Sequence, residues 1–511
     1  MNKSIVQSRQ PLVAWCAISV AVLAAMLAGC NVGPKYLPPA VTAPEAFKES
    51  PTQFKEIDGW TVAQPQDAAL RGKWWGIYND PELNALEDEL NIDNQNIRQA
   101  FENFMQARAV VREARSQYFP TVGAGGSYTR SQTSANVGST SGATTSSGKQ
   151  TQVFSLPADV SWEPDLWGRV RNTVRASQYT AQLTAADLEN ERLAEQASLA
   201  EFFFEIRGQD ALQKILDDTV EADRKALAIA KGRYDTGLDD QISVVDAQTT
   251  LESAQSAAIN IGIARAQYEH AIATLIGKPA STFSIPVEPK TSAPPPIPLG
   301  IPSQLLERRP DVAAAERNMA AANAQIGVAY AAFYPSLTLS GSGGLESSAI
   351  KHILDWPSRF WSVGTSISET VYDGGLRRAT VNQYIATYNA NVAAYRQSVL
   401  TAFQQVEDSL AAVRILSQQI RRQKEAVDSS QTFLRLELGR YETGIDPYID
   451  VVTAQTTVLA NRQSLSVLEV QQMAASVQLI EALGGGWNRS QLPTPAQVTQ
   501  KPSNAETTMQ P

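Results

Sequence analysis

Gly232-Arg233-Tyr234-Asp235-Thr236-Gly237 and Gly439-Arg440-Tyr441-Glu442-Thr443-Gly444 are one phrase written twice, 207 residues apart. Beyond it, Ile242, Val244-Val245 and Ala247-Gln248-Thr249-Thr250 return as Ile449, Val451-Val452 and Ala454-Gln455-Thr456-Thr457. From 232 to 250, thirteen of nineteen positions are identical at that constant offset, which chance does not produce. Weaker echoes extend it. Gln117-Tyr118-Phe119-Pro120 pairs with Ala332-Phe333-Tyr334-Pro335, and Asp165-Leu166-Trp167-Gly168-Arg169 with Asp373-Gly374-Gly375-Leu376-Arg377. Each half reads helix, strand, loop, strand, long helix, tight turn, helix. A period of about 200 residues is too long for a solenoid unit and means two copies of one module. The connector 279–302, with Pro294-Pro295-Pro296, lacks helical periodicity and reads as a stiff linker.

The long helices are the clearest elements. From Val381 the apolar positions run Ile385, Tyr388, Val392, Tyr395, Val399, Phe403, Val406, Leu410 and Val413. Steps of four and three make a heptad-like seam with one extra residue, so helices pack side by side with a modest supercoil. No Pro interrupts from Gly375 to Ile445. At about 1.5 Å per residue, such a helix reaches roughly 100 Å. A compact domain has no use for that length; a tube across a compartment does. The matching helix, roughly 170–234, has a less regular seam, and its Phe202-Phe203-Phe204 cluster reads as ordinary packing. Long coiled helices are more often rods than channels, so they do not decide the function.

The strands add what the helices lack. Phe154, Leu156, Ala158, Val160 and Trp162 alternate with Ser155, Pro157, Asp159 and Ser161. With Thr121 ahead of them, residues 122–128 alternate Val, Ala, Gly, Tyr against Gly, Gly, Ser; Leu337 and Leu339 alternate with Ser and Thr; and Trp361, Val363 and Ile367 alternate with Ser362, Gly364 and Ser366. Apolar-out and small-polar-in is the pattern of a water-filled barrel. The Ser, Thr and Gly-rich loop 131–150 suits the cell exterior, and 349–358 joins the second pair. Four strands cannot close a barrel, and open edges cannot sit in lipid, so the chain must oligomerise. Two copies would give eight strands and a filled interior; three would give twelve and room for a pore.

At the start of the chain, Lys3 and Arg9 precede an apolar stretch, Leu12 to Leu27, that is too short for a comfortable membrane span. It ends in Leu27-Ala28-Gly29-Cys30, which resembles the bacterial lipobox. That implies removal of residues 1–29 and a lipid on Cys30. Asn31 follows; in enteric-type sorting an Asp there would favour inner-membrane retention, so the resemblance points to the outer membrane. Cys16 is lost with the signal, leaving no partner for an intrachain disulfide. A formal net charge of −9 argues against nucleic acid. His270 and His352, the two histidines, have no Cys or carboxylate at ligand spacing, so no metal site is expected. The Gly-rich Gly341-Ser342-Gly343-Gly344 reads as strand and loop, not as a phosphate cradle. No acid–base or nucleophile constellation appears, so no enzyme is expected.

Together these residues resemble the TolC-like outer membrane factors, most closely the lipoprotein branch that serves resistance–nodulation–division efflux pumps. The matching motifs are Cys30-x-x-Gly33-Pro34-x-Tyr36-x-x-Pro39, Trp74-Trp75 with Asp80-Pro81-x-Leu83, Asp165-Leu166-Trp167-Gly168, Arg308-Arg309-Pro310-Asp311, Tyr372-Asp373-Gly374-Gly375 and the duplicated turn. The resemblance implies a homotrimer with a shared twelve-stranded β-barrel, four strands per chain, continued by a periplasmic α-helical barrel with an equatorial belt. The expected division is 1–29 signal, 30–79 lipidated segment of the equatorial region, 80–278 first repeat, 279–302 linker, 303–487 second repeat and 488–511 a disordered tail.

The resemblance also puts the duplicated turns at the periplasmic tip. There the channel closes at rest and meets a periplasmic adaptor, with an inner-membrane pump behind it. Gly237 and Gly444 permit the tight turns and, by analogy, touch the adaptor. Asp450 aligns with a carboxylate ring of the family's pore; Thr453 replaces the next ring. In the first copy Asp246 corresponds to that second ring, while Ser243 replaces the Asp450 equivalent. Asp239 and Asp446 sit in the turns, and Arg440 and Tyr441 are expected to lock neighbouring helices. Three copies of Asp450 would prefer cations and respond to divalent ions or low pH; the blander reading is a solvated Asp at a helix start. No cofactor is expected beyond the lipid on Cys30. The rival readings are an exit duct for type I protein secretion or metal efflux, and a periplasmic coiled-coil scaffold without a pore.

Overall fold

The computed structural model describes residues 31–40, 43–44, 46–49, 72–132, 134, 150–290, 292–297 and 302–501. Cys30 and the signal lie outside the described residues. The first repeat runs α1 (Pro81–Asp93), α2 (Gln95–Ser116), β1 (Thr121–Ala124), β2 (Ser127–Gln132), β3 (Gln150–Trp162), α3 (Arg169–Asp235) and α4 (Gln241–Leu275). The second runs α5 (Pro302–Arg308), α6 (Pro310–Ala331), β4 (Ser336–Ser347), β5 (Arg359–Ser368), α7 (Leu376–Glu442) and α8 (Tyr448–Ala482), followed by a short α9 (Pro495–Thr499). The helices α3 and α7 have 67 residues each, and α4 and α8 have 35 each. All four bounds of the first pair recur in the second at the 207-residue offset. Among the described residues no helix is long and apolar enough to cross a membrane.

The sheet is antiparallel, in the order β1-β3-β4-β5, with β2 also on β3. β1 and β2 lie end to end in a single register, so they are one strand interrupted at Gly125-Gly126. The cause is Pro157 opposite. It accepts the Gly125 N–H at 3.0 Å but has no N–H to return. Across the ladder Tyr128 faces Phe154, Val122 faces Val160, Ala158 faces Gly343 and Gly343 faces Trp361. One face is therefore mainly apolar, with Thr365 between Val363 and Ile367 and with Ser347, Arg359 and Arg130 toward one end. Trp361, Val363 and Ile367 stand on it at 81%, 80% and 74% exposure. The other face carries Ser127, Ser155, Ser161, Ser340, Ser342, Ser362 and Ser366.

The elbows from sheet to long helix explain two of the motifs. Asp165 accepts from the N–H groups of Val170 at 3.0 Å and Arg171 at 2.9 Å, satisfying orphan donors of α3. Gly168 takes φ +83° there, and Trp167 stacks on Tyr334 at 4.7 Å. Asp373 does the same for Gly375 and Arg377, at 2.9 and 3.2 Å, with Gly375 at φ +93°.

All ten seam positions on α7, from Val381 to Val413, are buried or half-buried. The irregular seam of α3 has a different cause: that helix packs against α2, α4, α6 and α8, so it has no single apolar stripe. Midway along the bundle Trp74, Leu83, Leu199, Phe203, Ile272, Leu479 and Ile480 form the largest core, which also takes Ile285 and Ile297 of the linker. Each fully buried Leu, Ile or Phe contributes roughly 1.5–3 kcal/mol. The linker is fastened by charge as well. The buried Arg207 donates to Pro286 O at 2.8 Å and pairs with Glu82, while Asp210 accepts from Glu288 N at 2.9 Å and Arg265 Nε at 2.6 Å. In the Arg-Arg-Pro-Asp motif, Arg309 donates to Ala482 O at 3.0 Å and forks onto Asp311, closing the end of α8.

The expectation of a disordered tail from residue 488 is corrected for the described part. Thr494 and Gln497 form a reciprocal capping box on α9. Val498 is fully buried against Ala107, Val111 and Ala181, and Gln182 donates to Pro493 O at 2.8 Å. One buried apolar side chain, a cap, and hydrogen bonds from Gln182, Gln178 and Arg108 to its backbone hold a polar, Pro-rich segment that composition alone assigns to solvent.

Candidate gate at the helical tips

Both turns end their long helix with the same hydrogen-bond pattern. Leu238 N–H donates to Arg233 O at 2.8 Å and Gly237 N–H to Tyr234 O at 2.9 Å, with Gly237 at φ +75°. Ile445 donates to Arg440 O at 2.9 Å and Gly444 to Tyr441 O at 2.9 Å, with Gly444 at φ +77°. This is the Schellman arrangement, and only glycine adopts its left-handed residue without cost. Leu238, Ile242, Ile445 and Ile449 are left exposed around the turns.

The four helix ends share a small core of Ala226, Leu227, Ala230, Ala247, Leu251, Tyr441, Tyr448 and Val451. Tyr441 is the pivot. Its hydroxyl donates to Asp239 Oδ2 at 2.8 Å, the Arg233 guanidinium lies over its ring at 4.7 Å, and Tyr448 meets the ring edge-on at 5.2 Å. Asp239 also accepts from Asp240 N–H and Ser243 Oγ, both at 2.9 Å, and faces Arg233 Nε at 3.5 Å. Although burial opposes it, these donors hold the Asp239 carboxyl below its ordinary range; burial first, then Asp239, pushes the Tyr441 phenol up. Asp240 caps α4 through Ser243 N–H at 3.1 Å.

The second turn is built differently. Asp446 forks onto Arg440 of its own chain, which lowers its carboxyl. Beside it stand Glu437 and Asp450, and one oxygen from each of the three lies within 4.8 Å of the others. Burial, then Asp446, raises the Glu437 carboxyl. A third environment lies inside the bundle. Asp223 is 2% exposed, its Oδ1 has no partner, and burial pushes it up to about 6. The Tyr448 hydroxyl is also unsatisfied, and burial followed by Asp223 and Asp246 pushes it up to about 12.

The structure thus unites Tyr441 with Asp239, and Arg440 with Asp446 and Asp450. It puts Asp246 elsewhere, toward Tyr448. The expected lock through Arg440 stays within its own turn; Arg233, its repeat equivalent, makes the cross-hairpin contact and was missed, though the repeat offered it. Glu437 and Asp223 were missed because their repeat counterparts, Ala230 and Ser430, carry no charge. The second histidine does meet a carboxylate: His352 Nδ1 lies 2.8 Å from Asp355, in an exposed turn between β4 and β5. The two stand three positions apart in one turn, so the reading that neither histidine has a carboxylate at ligand spacing is corrected for His352.

A sheet with two open edges and one apolar face, continued by helices too long for a globule, defines a subunit of a membrane conduit. The family model for outer membrane efflux proteins matches residues 86–278 and 301–485, and the chain belongs to that family. It is 30% identical over 476 residues to the probable efflux pump outer membrane protein TtgC of Pseudomonas putida, covering 92% of this chain and 95% of that protein. The solved structure of the outer-membrane channel OprN matches with a TM-score of 0.80 at 27% identity, covering 90% of this chain and 100% of that one. The open state of the MtrE outer membrane channel of Neisseria gonorrhoeae matches at 0.75 and 25% identity, covering 90% and 99%. The fold is that of the TolC-like channels, and the protein is the outer-membrane channel component of an efflux pump, with a large periplasmic helical part.

Proposed function

We propose that three copies close one twelve-stranded barrel and one helical tube, which passively conducts small toxic compounds and is shut at the tips. The observation that carries this is the sheet: four strand positions, an apolar outer face, and edges at β1/β2 and β5 that lipid cannot satisfy. The polar inner face, rich in Ser and Gly, suits a wet pore with little affinity for cargo. The chain does no catalysis; an adaptor and an inner-membrane pump deliver the compounds and select them.

In this reading Tyr441, Asp239, Arg440 and Asp446 hold the tips closed, and Asp450 lies where three copies ring the aperture. Gly237 and Gly444 present the apolar turns to the adaptor. Cys30 carries the lipid. Supporting that, Asn31 accepts from Asn172 Nδ2 at 2.8 Å and Val32 N–H donates to Trp167 O at 3.4 Å, so the lipid would start at the sheet–helix boundary.

Purified protein in planar bilayers is expected to run as a trimer and to show small, cation-preferring closed-state conductance. Non-conducting soluble oligomers would return the scaffold reading. A deletion strain should become susceptible to drugs or solvents; sensitivity confined to metals, or loss of a secreted protein, would favour the other ducts.

A further inference from the structure

The two repeats are related by the 207-residue offset, but the clasp at their tips is made only once within the chain. Tyr441 of the second hairpin is 1% exposed and reaches Asp239 of the first. Arg233 lies over that ring and donates to Glu442 O at 3.2 Å. The offset partners of these residues are Tyr234, Asp446, Arg440 and Asp235. Tyr234 is 45% exposed, and its hydroxyl makes no hydrogen bond among the described residues. The helix faces are divided in the same way. The first long helix α3 packs on the second return helix α8, whereas α7 and α4 do not pack along one another. Their free faces are apolar: Phe433 and Leu436 on α7, Ile242, Val245, Ile259 and Ile263 on α4. A ring of repeats is completed when α7 meets α4 of a second copy as α3 meets α8 within one chain.

Resting on the proposed trimer, we propose that Tyr234 is the donor of a clasp between subunits. The partner subunit's Tyr234 donates to Asp446, under the Arg440 guanidinium. This clasp, rather than the one within the chain, yields first when the tip opens. The reason is two substitutions between repeats. Ser243, which donates to Asp239, is replaced by Asp450, and Ala230, fully buried beside Tyr441, is replaced by Glu437. In the intrachain clasp Asp239 accepts three hydrogen bonds and faces the Arg233 charge, and the one further carboxylate, the helix cap Asp240, shares the Ser243 hydroxyl with it at 3.3 Å. The intersubunit clasp has three carboxylates close together, and like charges at that distance weaken it.

The test uses the full-length protein in detergent, treated with a short bifunctional thiol reagent. The pair Tyr234→Cys with Asp446→Cys is expected to give covalent dimers and trimers on denaturing gels. The pair Tyr441→Cys with Asp239→Cys should give only internally linked monomer. Each single Cys variant supplies the blank. Tyr234→Phe in bilayers is expected to raise the open fraction roughly tenfold, the loss of one hydrogen bond to a charged acceptor. A linked monomer from the first pair, no link while the second pair links, or unchanged gating in Tyr234→Phe overturns the clasp. The native mass of the unmodified protein is measured separately. A mass other than a trimer's overturns the assembly; a trimer without cross-links overturns only the clasp.

Discussion

The phenol of Tyr441 reaches 202 positions back along the chain to Oδ2 of Asp239, 2.8 Å away, and binds the two hairpin tips together. The bond is to a charged acceptor and lies beside a buried ring, so removing it is expected to cost roughly 1.5–3 kcal/mol. Tyr441→Phe keeps the packing against Tyr448 and loses only the hydrogen bond. Single-channel recording is expected to show a larger resting conductance for Tyr441→Phe and for Asp239→Asn, with the double variant no leakier than either. Additive effects would mean that the two residues act apart.

The tip should respond to pH with a minimum of conductance in mild acid. Asp223 and Glu437 have raised carboxyls, so their charged forms oppose the closed tip. That opposition is absent once both are protonated and grows as pH rises, through about 6 for Asp223. Asp239 and Asp446 have lowered carboxyls; the stability they give is present above the ordinary carboxylate range and lost below it. The closed state is therefore strongest above roughly pH 4 and below the Asp223 midpoint. Asp223→Asn should tighten the neutral-pH tip by about 1–2 kcal/mol and flatten the upper arm of the profile. An unchanged profile would remove Asp223 from the account.

Glu437→Gln removes one of three neighbouring carboxylates while keeping the shape. The expected outcome is a lower resting conductance at neutral pH and a weaker preference for cations. Asp450→Ala should reduce the cation preference too. Reversal-potential measurements in a salt gradient check both; an Asp450→Ala channel with wild-type selectivity would take that residue off the pore.

Gly484 has φ +93°, and a Cβ there would stand 2.1 Å from Arg308 O. Gly484→Ala is expected to destabilise the equatorial joint between α8 and α5 by at least about 2 kcal/mol. Thermal unfolding of the assembled protein measures this. Gly237→Ala, where a Cβ meets nothing within 4 Å, should cost only the φ strain of about 1 kcal/mol.

Much of this fold was legible because a repeat turns one sequence into two observations. The Arg-Tyr-x-Thr-Gly phrase gave both turns, and the seam from Val381 to Val413 gave a helix whose whole predicted face is covered. The alternation at Phe154–Trp162 gave a strand, although Pro157 does not disclose that it breaks the strand opposite. The tip was less legible for a physical reason. Its chemistry lies in the differences between copies, as when Glu437 stands for Ala230, and such differences read as noise until the hairpins are side by side. The described part of the tail, to residue 501, departs from its composition because one buried residue, Val498, and side-chain hydrogen bonds to its backbone hold it.

The open edges at β1/β2 and β5 have a genetic consequence. If three chains must share one barrel, a subunit damaged in β3 or at the tip is not diluted by healthy copies but built into their tubes. With equal expression of normal and damaged chains, only about one assembly in eight is wholly normal under closed threefold symmetry. A barrel or tip mutation that still permits assembly should therefore be dominant in a cell carrying both alleles, while one that stops the strands from pairing at all should be recessive.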